Sequence, residues 1–420
     1  MKRNVIHTGD AFDVLPDLDD NSVHAVITDP PYGLAFMGRD WDDFEPKEYQ
    51  EWCEEWAAEV KRVLKPGGHL LAFSGNRTHH RLFTGVEDAG FEIRDTLTWH
   101  YGSGFPKASD VSKTIDKRAD AERELGEKYH NPDGTTRDYD NYDDHNDVYQ
   151  PSDDGNDARR ESIPATDAAK KWDGWKTGLK PATEFVVMAR KPYDGATVDS
   201  VLEHGTGALN IDACRVEGGE RPERTVVDEN TGSIDKYGDY ENETTRATGT
   251  TTKGRYPANV VFDETAADAL DAEVGELEAG AHPQNQSDDR SWRFSGLGEN
   301  NQSERAETDT GGPSRYFYTS KASRSERTND GAIENDHPTV KPRDLMEWLI
   351  KLVTREGQIV LDPFAGSGTT CKAAKGLGRE FVGIERQAKW ADVARVRCGL
   401  TPDDPSVVRG DGAQRGLDEW

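Results

Sequence analysis

The first hundred residues alternate short apolar runs with amphipathic patterns. Apolar runs bounded by turn residues predict strands, and apolar positions recurring at intervals of three and four predict helices. In chain order, these patterns predict a strand at the start of residues 4–21, a strand over 23–29, a helix over 46–68, a strand over 69–75, a helix over 77–89 and a strand over 91–102. This spacing predicts a parallel α/β sheet with right-handed crossovers.

The middle of the chain is less regular. Residues 107–176 are rich in Asp, Glu, Arg, Gly and Asn and have almost no aliphatic periodicity. Residues 132–160 within them are typical of a solvated loop or a disordered insert. Strand character returns over residues 179–192. From residue 193 to residue 334, polar tracts alternate with short ordered patterns at 205–216, 254–263 and 314–327.

The carboxyl-terminal part is regular again. Its patterns predict a helix over residues 337–354, then strand, glycine loop and helix over 357–378, and strand and helix over 379–399. The predicted organisation is therefore an α/β part over 1–106, an insert over 107–336 that includes the strand near 179–192, a second α/β part over 337–400 and an acidic tail over 401–420.

The composition is strongly acidic. Asp and Glu number 80 against 52 Lys and Arg, which gives the 420-residue chain a formal net charge of −28. Only 34% of the residues are hydrophobic, so a largely disordered acidic protein is one interpretation. The regular apolar runs at both ends favour a folded protein adapted to high salt. The charge argues against a nucleic-acid partner in dilute buffer, but molar salt weakens this objection because it suppresses phosphate electrostatics for any protein.

Several site classes and locations are disfavoured. The amino terminus lacks the apolar segment of a signal peptide, and no run approaches transmembrane length. We therefore predict a protein without membrane association, in a cytoplasm of high salt. The pair His79–His80 lacks a nearby acid or third ligand, so we predict no metal site. A zinc ribbon or a disulfide scaffold is disfavoured because no CxxC pair occurs among the cysteines, Cys53, Cys214, Cys371 and Cys398.

The most informative stretch near the amino terminus is Asp29, Pro30, Pro31 and Tyr32, which follows an apolar run. Pro30 cannot continue a strand, so this motif lies at the carboxyl end of one, where ligands bind in open parallel sheets. Two prolines stiffen the loop and fix a carboxylate, a carbonyl and an aromatic ring relative to one another. A turn without function is the alternative, but such turns use Gly, Asn or Asp with at most one proline.

A second motif follows the apolar run that ends at Asp362. Gly366 and Gly368 let the backbone approach a ligand at the start of a helix, and Glu385 ends the next strand, 19 positions after Gly366. This spacing fits an acid that binds ribose hydroxyls. Thr369 stands where a Walker A loop carries its lysine, which favours a nucleoside with an uncharged tail over a nucleoside triphosphate. A dinucleotide site and a tight turn without a ligand are the alternatives.

Together the two motifs resemble those of amino-group DNA methyltransferases, which use S-adenosylmethionine and have a Rossmann-like α/β sheet. Their order resembles the circularly permuted beta class, including phage- and prophage-type members, in which a target-recognition region lies between the motifs, here residues 107–336. The segments 337–342 and 9–11 also resemble cofactor motifs of that class. The resemblance implies catalytic roles for Asp29, Pro30, Pro31 and Tyr32, and cofactor binding by Asp10, Thr339, Lys341, Asp362, Pro363, Phe364, Ala365, Gly366, Ser367, Gly368 and Glu385.

These residues suit the methylation of an exocyclic amine. Its lone pair is delocalised into the ring, and acceptors at Asp29 and the Pro30 carbonyl would favour a pyramidal nitrogen aimed at the methyl group. Tyr32 offers a face for a base that has left the helix stack. No cysteine lies near the Asp29 loop, which argues against carbon-5 methylation of cytosine. Asp at position 29 favours adenine N6 by family analogy, because Ser is commoner there in cytosine enzymes.

Alternatives to adenine methylation stay open. They are methylation of cytosine N4, a catalytically idle nucleic-acid-binding protein with the same fold, and methylation of RNA or of a protein amide. The intact Asp29–Tyr32 loop argues against an idle binding protein. The large insert argues against methylation of RNA or a protein amide, because it suits a module that reads duplex DNA. Double-stranded DNA is thus the expected partner, and a homodimer and a cognate restriction endonuclease are left open. Arg315 and residues 321–327 form the best basic patch, either for phosphate binding or as a solvated charge run.

Overall fold

The computed structural model describes residues 1–34, 44–102, 104, 108–128, 160–218, 221–228, 244–279, 309–320, 326, 328–329, 331–335, 337 and 339–408. The strands are β1 Val5–Thr8, β2 Val23–Thr28, β3 Leu64–Ser74, β4 Glu92–His100, β5 Glu124–Lys128, β6 Arg160–Ile163, β7 Thr183–Arg190, β8 Arg221–Asp228, β9 Thr244–Thr251, β10 Val260–Asp263, β11 Leu277–Ala279, β12 Asp309–Gly311, β13 Tyr318–Ser320, β14 Ile359–Asp362 and β15 Glu380–Glu385. The helices are α1 Ala11–Val14, α2 Pro46–Val63, α3 His79–Asp88, α4 Val111–Arg118, α5 Asp167–Lys171, α6 Thr197–His204, α7 Glu264–Val274, α8 Arg343–Val353, α9 Thr369–Gly376 and α10 Ala388–Arg397.

The main sheet has the strand order β1-β15-β14-β2-β3-β7-β4-β10-β13. Its neighbours pair in parallel except at β7, which runs antiparallel to both β3 and β4. The strands β2, β3 and β4 therefore run parallel to one another as predicted, while β7 runs against them, and the observed sheet is mixed and mostly parallel. The physical reason lies at the end of β4, where the Tyr101 N–H donates to the Ala182 carbonyl at 3.1 Å. The chain re-enters the sheet where it left, so β7 must run back along β4.

The two sequence motifs lie on adjacent strands. β14 pairs in parallel with β2 through Val360 with Ala25 and Leu361 with Val26. β14 pairs on its other side with β15, which pairs in turn with β1. The carboxyl ends of these strands share one edge of the sheet, although β14 and β15 come last in the chain. The circular permutation that the resemblance implied remains a prediction.

The helices cover both faces of this sheet with apolar side chains. On one face, α8 contributes Leu345, Leu349 and Ile350 to a core that includes Ile27 and Phe73. On the other face, α2 packs beneath β2 and β3 through side chains at helical spacing, namely Tyr49, Cys53, Trp56, Val60 and Val63. The sheet therefore separates two apolar layers, as in other α/β folds with helices on both faces.

Helix α2 begins as expected at Pro46, but it ends earlier than predicted. Pro46 suits the first helical position because its missing N–H has no helical partner there, and Glu45 and Glu48 form a capping box. The predicted helix extended to residue 68 and the next strand began at residue 69. Instead Leu64 is extended, with φ −66° and ψ 140°, and pairs with Val23 at the start of β3.

The structure also divides into two compact units, Met1–Ser103 with Ala182–Trp420, and Gly104–Pro181. The second unit contains α4, α5, β5 and β6, where the sequence showed almost no aliphatic periodicity. The buried Asp116 carboxylate explains this difference, since it accepts from the backbone N–H groups of Ala165 and Thr166 and from the Thr166 hydroxyl. Polar contacts rather than an apolar stripe join these segments. The acidic stretch over 132–159 lies outside the described residues, and no helix in the described part is long and apolar enough to cross a membrane.

Candidate active site

The Asp29–Tyr32 loop begins where β2 ends at Thr28 and is held against helix α2. Pro30 and Pro31 cannot donate to a strand ladder, which ends the pairing there. The Tyr49 hydroxyl donates to the Pro31 carbonyl at 2.9 Å. Gly33 has φ +64°, and a Cβ atom there would lie 2.7 Å from the Tyr49 ring. The loop therefore has both a conformation and a neighbour that favour glycine at position 33.

Four polar side chains meet at this loop. Lys341 Nζ lies 2.5 Å from Asp29 Oδ2 and 3.3 Å from Glu184 Oε2. The Tyr32 hydroxyl lies 2.8 Å from Asp29 Oδ1 and 3.0 Å from Glu184 Oε2. The ammonium also lies over the rings of Tyr32 and Phe73, at 5.5 and 5.1 Å from their centroids. We call Asp29, Tyr32, Glu184 and Lys341 the four-residue cluster.

The environment of this cluster shifts its proton affinities. Burial alone would lower the pKa of Lys341, but the carboxylates of Asp29 and Glu184 outweigh it and raise this pKa. Burial raises the pKa of Glu184, and the Asp29 charge adds to this while Lys341 opposes it. Burial together with the two carboxylates raises the pKa of Tyr32 well above its ordinary value. Lys341 is therefore a charged ammonium and Tyr32 a neutral hydrogen-bond donor at neutral pH.

Asp362 links the glycine loop to β2. Its Oδ1 accepts from the Thr28 hydroxyl at 2.7 Å and from the Phe364 N–H at 3.1 Å. Burial raises the pKa of Asp362 to about 6, although the bonds from Thr28, Thr370 and Phe364 act in the opposite direction. Because Thr28 precedes Asp29, this hydrogen bond ties the ends of the two motif strands together.

The glycine loop has a backbone conformation that requires glycine. Gly366 and Gly368 have φ +51° and +82°, which residues with a Cβ atom rarely adopt. The Gly366 N–H donates to Glu385 Oε2 at 2.8 Å, and Glu385 Oε1 accepts from the Gln387 N–H at 2.8 Å. A Cβ on Gly366 would lie 3.1 Å from His337 Nε2. The bare backbone and the carboxylate with spare lone pairs fit a nucleoside with ribose hydroxyls.

The other predicted cofactor residues lie around this loop. Asp10 follows β1 and caps α1 by accepting from the Phe12 N–H at 3.0 Å. The Phe364 ring packs against Trp52 and Trp56 of α2, at 5.5 and 5.6 Å between centroids. Thr339 is exposed. Within the loop, Pro363 and Ala365 are buried, and Ser367 is buried with its carbonyl and hydroxyl oxygens bound by Arg397 at 2.7 and 2.9 Å.

The sequence reasoning missed Glu184 and the position of Lys341 beside Asp29. The only signal for Glu184 was an acid directly before the apolar run of β7, which also fits a solvated strand end. The basic patch over 321–327 lies almost wholly outside the described residues. Arg315 binds the Gly312 and Leu277 carbonyls at 2.7 and 2.8 Å. Among the described residues, no group of three or more His, Cys, Asp or Glu could hold a metal ion.

Two type II methyltransferases are similar to this chain in sequence. The type II methyltransferase M.HindIII of Haemophilus influenzae is 24% identical over 438 aligned residues, which cover 94% of this chain and 95% of that protein. The type II methyltransferase M2.DpnII of Streptococcus pneumoniae is 51% identical over 61 residues, which cover 14% of this chain and 23% of that protein.

Similar solved structures include M1.HpyAVI in complex with SAM, at a TM-score of 0.37 and 16% identity, covering 94% of this chain and 98% of that chain. The cytosine-N4-specific PvuII DNA methyltransferase has a TM-score of 0.43 at 14% identity, and the match covers 93% of this chain and 85% of that chain. Residues 23–395 of this chain match the family described as DNA methylase. Because this match spans most of the chain, from β2 to α10, the chain belongs to the DNA methylase family and is an S-adenosylmethionine-dependent methyltransferase of DNA amino groups.

Proposed function

We propose that this enzyme methylates adenine N6 at specific sites in double-stranded DNA. The observation that carries the proposal is the Asp29 carboxylate at the carboxyl end of β2, tied to the glycine loop through the Thr28–Asp362 hydrogen bond. By family analogy, Ser is commoner than Asp at this position in enzymes that methylate cytosine N4. Cytosine N4 is the second candidate, because both amines need the same chemistry.

The proposed chemistry rests on positioning. Asp29 and the Pro30 carbonyl accept the two N–H bonds of the target amine, which makes the nitrogen pyramidal and aims its lone pair. Tyr32 stacks on the base after the base leaves the duplex. S-adenosylmethionine, when bound, supplies the electrophilic methyl group. For its binding we propose Gly366 and Glu385, together with Asp10, Thr339, Lys341, Asp362, Pro363, Phe364, Ala365, Ser367 and Gly368.

Methylation-aware sequencing tests the base and the recognition site together. We expect DNA from a host that expresses this chain to carry N6-methyladenine at one short sequence, and the Asp29→Ala variant to leave the DNA unmodified. If the site carries N4-methylcytosine instead, the substrate base is cytosine and not adenine. The absence of any modified amine, or an Asp29→Ala variant that methylates at the wild-type rate, would refute the assignment of Asp29. The first result would favour a binding protein that has retained the fold, whereas the second would leave an active enzyme with a different catalytic group.

For target recognition we propose residues 107–336, beginning with the Gly104–Pro181 unit. Two features of that unit support the proposal. Lys113, Lys117 and Lys176 line one concavity together with Asp110, which pairs with Lys176. The residues Trp172 and Trp175 are 40% and 59% exposed. Lysines bind phosphates and exposed aromatic rings stack on bases, so both suit DNA. This part of the chain offers basic groups that the overall charge of −28 does not suggest.

Charge reversal tests the role of this concavity. We expect Lys113→Glu combined with Lys117→Glu to raise the KM for DNA several-fold and to leave the KM for S-adenosylmethionine unchanged. Lys2→Glu combined with Arg3→Glu is the matched control, because it changes the net charge by the same amount, and both residues are exposed and lie at the amino end of β1, away from the carboxyl ends of the strands. An equal effect of the two double variants would assign the change to net charge rather than to a DNA contact.

We also propose that the fold requires high salt. The net charge of −28 makes the acidic side chains repel one another in dilute buffer, and salt screens this repulsion. Unfolding midpoints should therefore rise with KCl up to molar concentration, and activity should follow. Full stability and activity in dilute buffer would contradict the proposal. A cytoplasm of high salt is the matching location, and the type II relatives support a role in restriction–modification beside a cognate endonuclease. A homodimer remains a prediction.

A further inference from the structure

Glu184 faces the Asp29 loop from β7, the antiparallel strand that follows the Gly104–Pro181 unit. Its carboxylate approaches two groups that also bind Asp29, the Lys341 ammonium at 3.3 Å and the Tyr32 hydroxyl at 3.0 Å. All three charged side chains are poorly exposed, at 7% for Lys341, 16% for Asp29 and 18% for Glu184. Two carboxylates thus share one ammonium and one hydroxyl in surroundings that water reaches poorly.

The hydrogen-bond count in this cluster is uneven. Tyr32 has one O–H hydrogen for two carboxylate oxygens, whereas Lys341 has three N–H hydrogens. Both oxygens of Asp29 already accept, Oδ1 from Tyr32 and Oδ2 from Lys341. When Asp29 turns to a target amine, its bonds to Tyr32 and Lys341 weaken. Glu184 Oε2 then offers both donors a second acceptor at the same place.

Methyl transfer makes the charge of the cluster important. A bond forms between the amine nitrogen and the methyl carbon, the carbon–sulfur bond breaks, and its electron pair stays on sulfur. Positive charge thereby passes to the nitrogen, which becomes neutral when one amine proton passes to the Asp29 carboxylate. With Asp29 neutral, Lys341 would be an unpaired buried ammonium if Glu184 were absent. Such a charge is costly and would oppose the proton transfer.

We propose that Glu184 is a positioning residue that keeps Lys341 and Tyr32 paired while the Asp29 carboxylate binds the target amine and takes its proton. With Glu184 ionised, the cluster carries one net negative charge before the reaction and none after the proton transfer. Without it, the same step converts a neutral cluster into a positive one. The inference rests on the proposed role of Asp29, and it holds for either amino base.

The Glu184→Gln variant tests this inference because it keeps the shape of the side chain and removes the charge. We expect the single-turnover rate of methyl transfer in KCl to fall about tenfold to a hundredfold, from the loss of one charge near the reacting nitrogen. The Kd for S-adenosylmethionine and the KM for DNA should change less than about twofold, because the proposed role of Glu184 acts in the transfer step, after both ligands have bound. Glu184→Asp should recover part of the rate, because it restores the charge at a longer distance.

Glu92→Gln is the matched control. This variant also removes one carboxylate from the sheet, but Glu92 pairs with Arg190 at the other end of β7, at 2.6 Å. We expect this variant to retain the wild-type rate. An inactive wild-type enzyme would refute the proposed function itself. An active wild-type enzyme with an equally fast Glu184→Gln variant would refute only the role of Glu184, as would a loss that lies wholly in ligand affinity. If Glu184→Gln does not fold, the rate and affinities of Glu184→Asp decide by the same criteria.

Discussion

Replacement of Asp362 by Asn should stabilise the ligand-free protein at alkaline pH. The Asp362 side chain is buried, and its pKa of about 6 lies above the ordinary value of 3.8. This difference corresponds to about 3 kcal/mol of folding free energy that the ionised carboxylate costs above pH 7. Asn keeps the Oδ1 acceptor for Thr28 and Phe364 and loses a bond from Thr370, worth about 1 kcal/mol. We expect a net gain of about 2 kcal/mol at pH 8.

The sign of the pH dependence follows from the raised pKa. A protonated Asp362 stabilises the fold, and this contribution is lost as the pH rises through about 6. The advantage of the Asn variant should therefore shrink by about 1 kcal/mol between pH 8 and pH 5.5. Urea unfolding of both proteins in KCl, followed by circular dichroism, measures this difference directly.

Asp392→Asn provides the matched control. Asp392 is as buried as Asp362, at 3% exposure. Burial acts to raise its pKa, but bonds from Asp403, Arg395 and Asp404 outweigh this and lower it. Its replacement should destabilise the protein equally at pH 5.5 and pH 8. An Asp362→Asn difference that is likewise independent of pH would refute the reasoning, because it would show that the carboxyl of Asp362 titrates as in the unfolded chain.

Three further predictions concern the backbone, a buried histidine and the thiols. Gly368→Ala should lower the free energy of unfolding in urea by about 2 kcal/mol more than Gly357→Ala, because both glycines have positive φ but only at Gly368 would a Cβ atom meet Ala394, at 2.7 Å. Equal losses in the two variants would argue against that contact. Burial lowers the pKa of His69 to about 4, so protonation favours the unfolded chain below pH 6.5. The stability of the wild type relative to His69→Leu should therefore fall by about 1 kcal/mol between pH 8 and pH 5.5, and no change would contradict a neutral buried imidazole. All four cysteines are buried, so Ellman's reagent should react with the native protein only after urea is added, and a fast-reacting thiol in the native state would contradict this burial.

The motif strands and their common edge could be predicted from the sequence, because proline and glycine restrict the local backbone conformation at both motifs. Pro30 must end β2, and Gly366 and Gly368 mark a backbone turn that other residues rarely adopt. Parallel pairing then places Asp29 and Asp362 at the same edge of the sheet. The pairing of Lys341 with Asp29 could not be predicted in the same way, since the two residues lie 312 positions apart and only tertiary packing joins them.

The Gly104–Pro181 unit shows a different limit. Its segments are joined by Asp116, which binds Thr166 and the Ala165 backbone and pairs with Arg123 at 3.2 Å. Apolar periodicity detects segments that bury an apolar stripe, and these segments bury a carboxylate instead. A single acid in a chain with 80 of them carries no such signal. Polar anchors of this kind therefore have to be found in three dimensions.

The antiparallel β7 holds an active-site residue directly after the Gly104–Pro181 unit. Trp99 pairs with Glu184 and His100 with Thr183, and Tyr101 bonds to Ala182 just before the chain leaves the sheet. The position of Glu184 therefore depends on this ladder and is independent of the length of the insert. Loop closure costs only about 0.6 kcal/mol for each doubling of length. Insertions between residues 104 and 181 should thus leave Glu184 beside Lys341, whereas a register shift between β4 and β7 would move its side chain to the other face of the sheet.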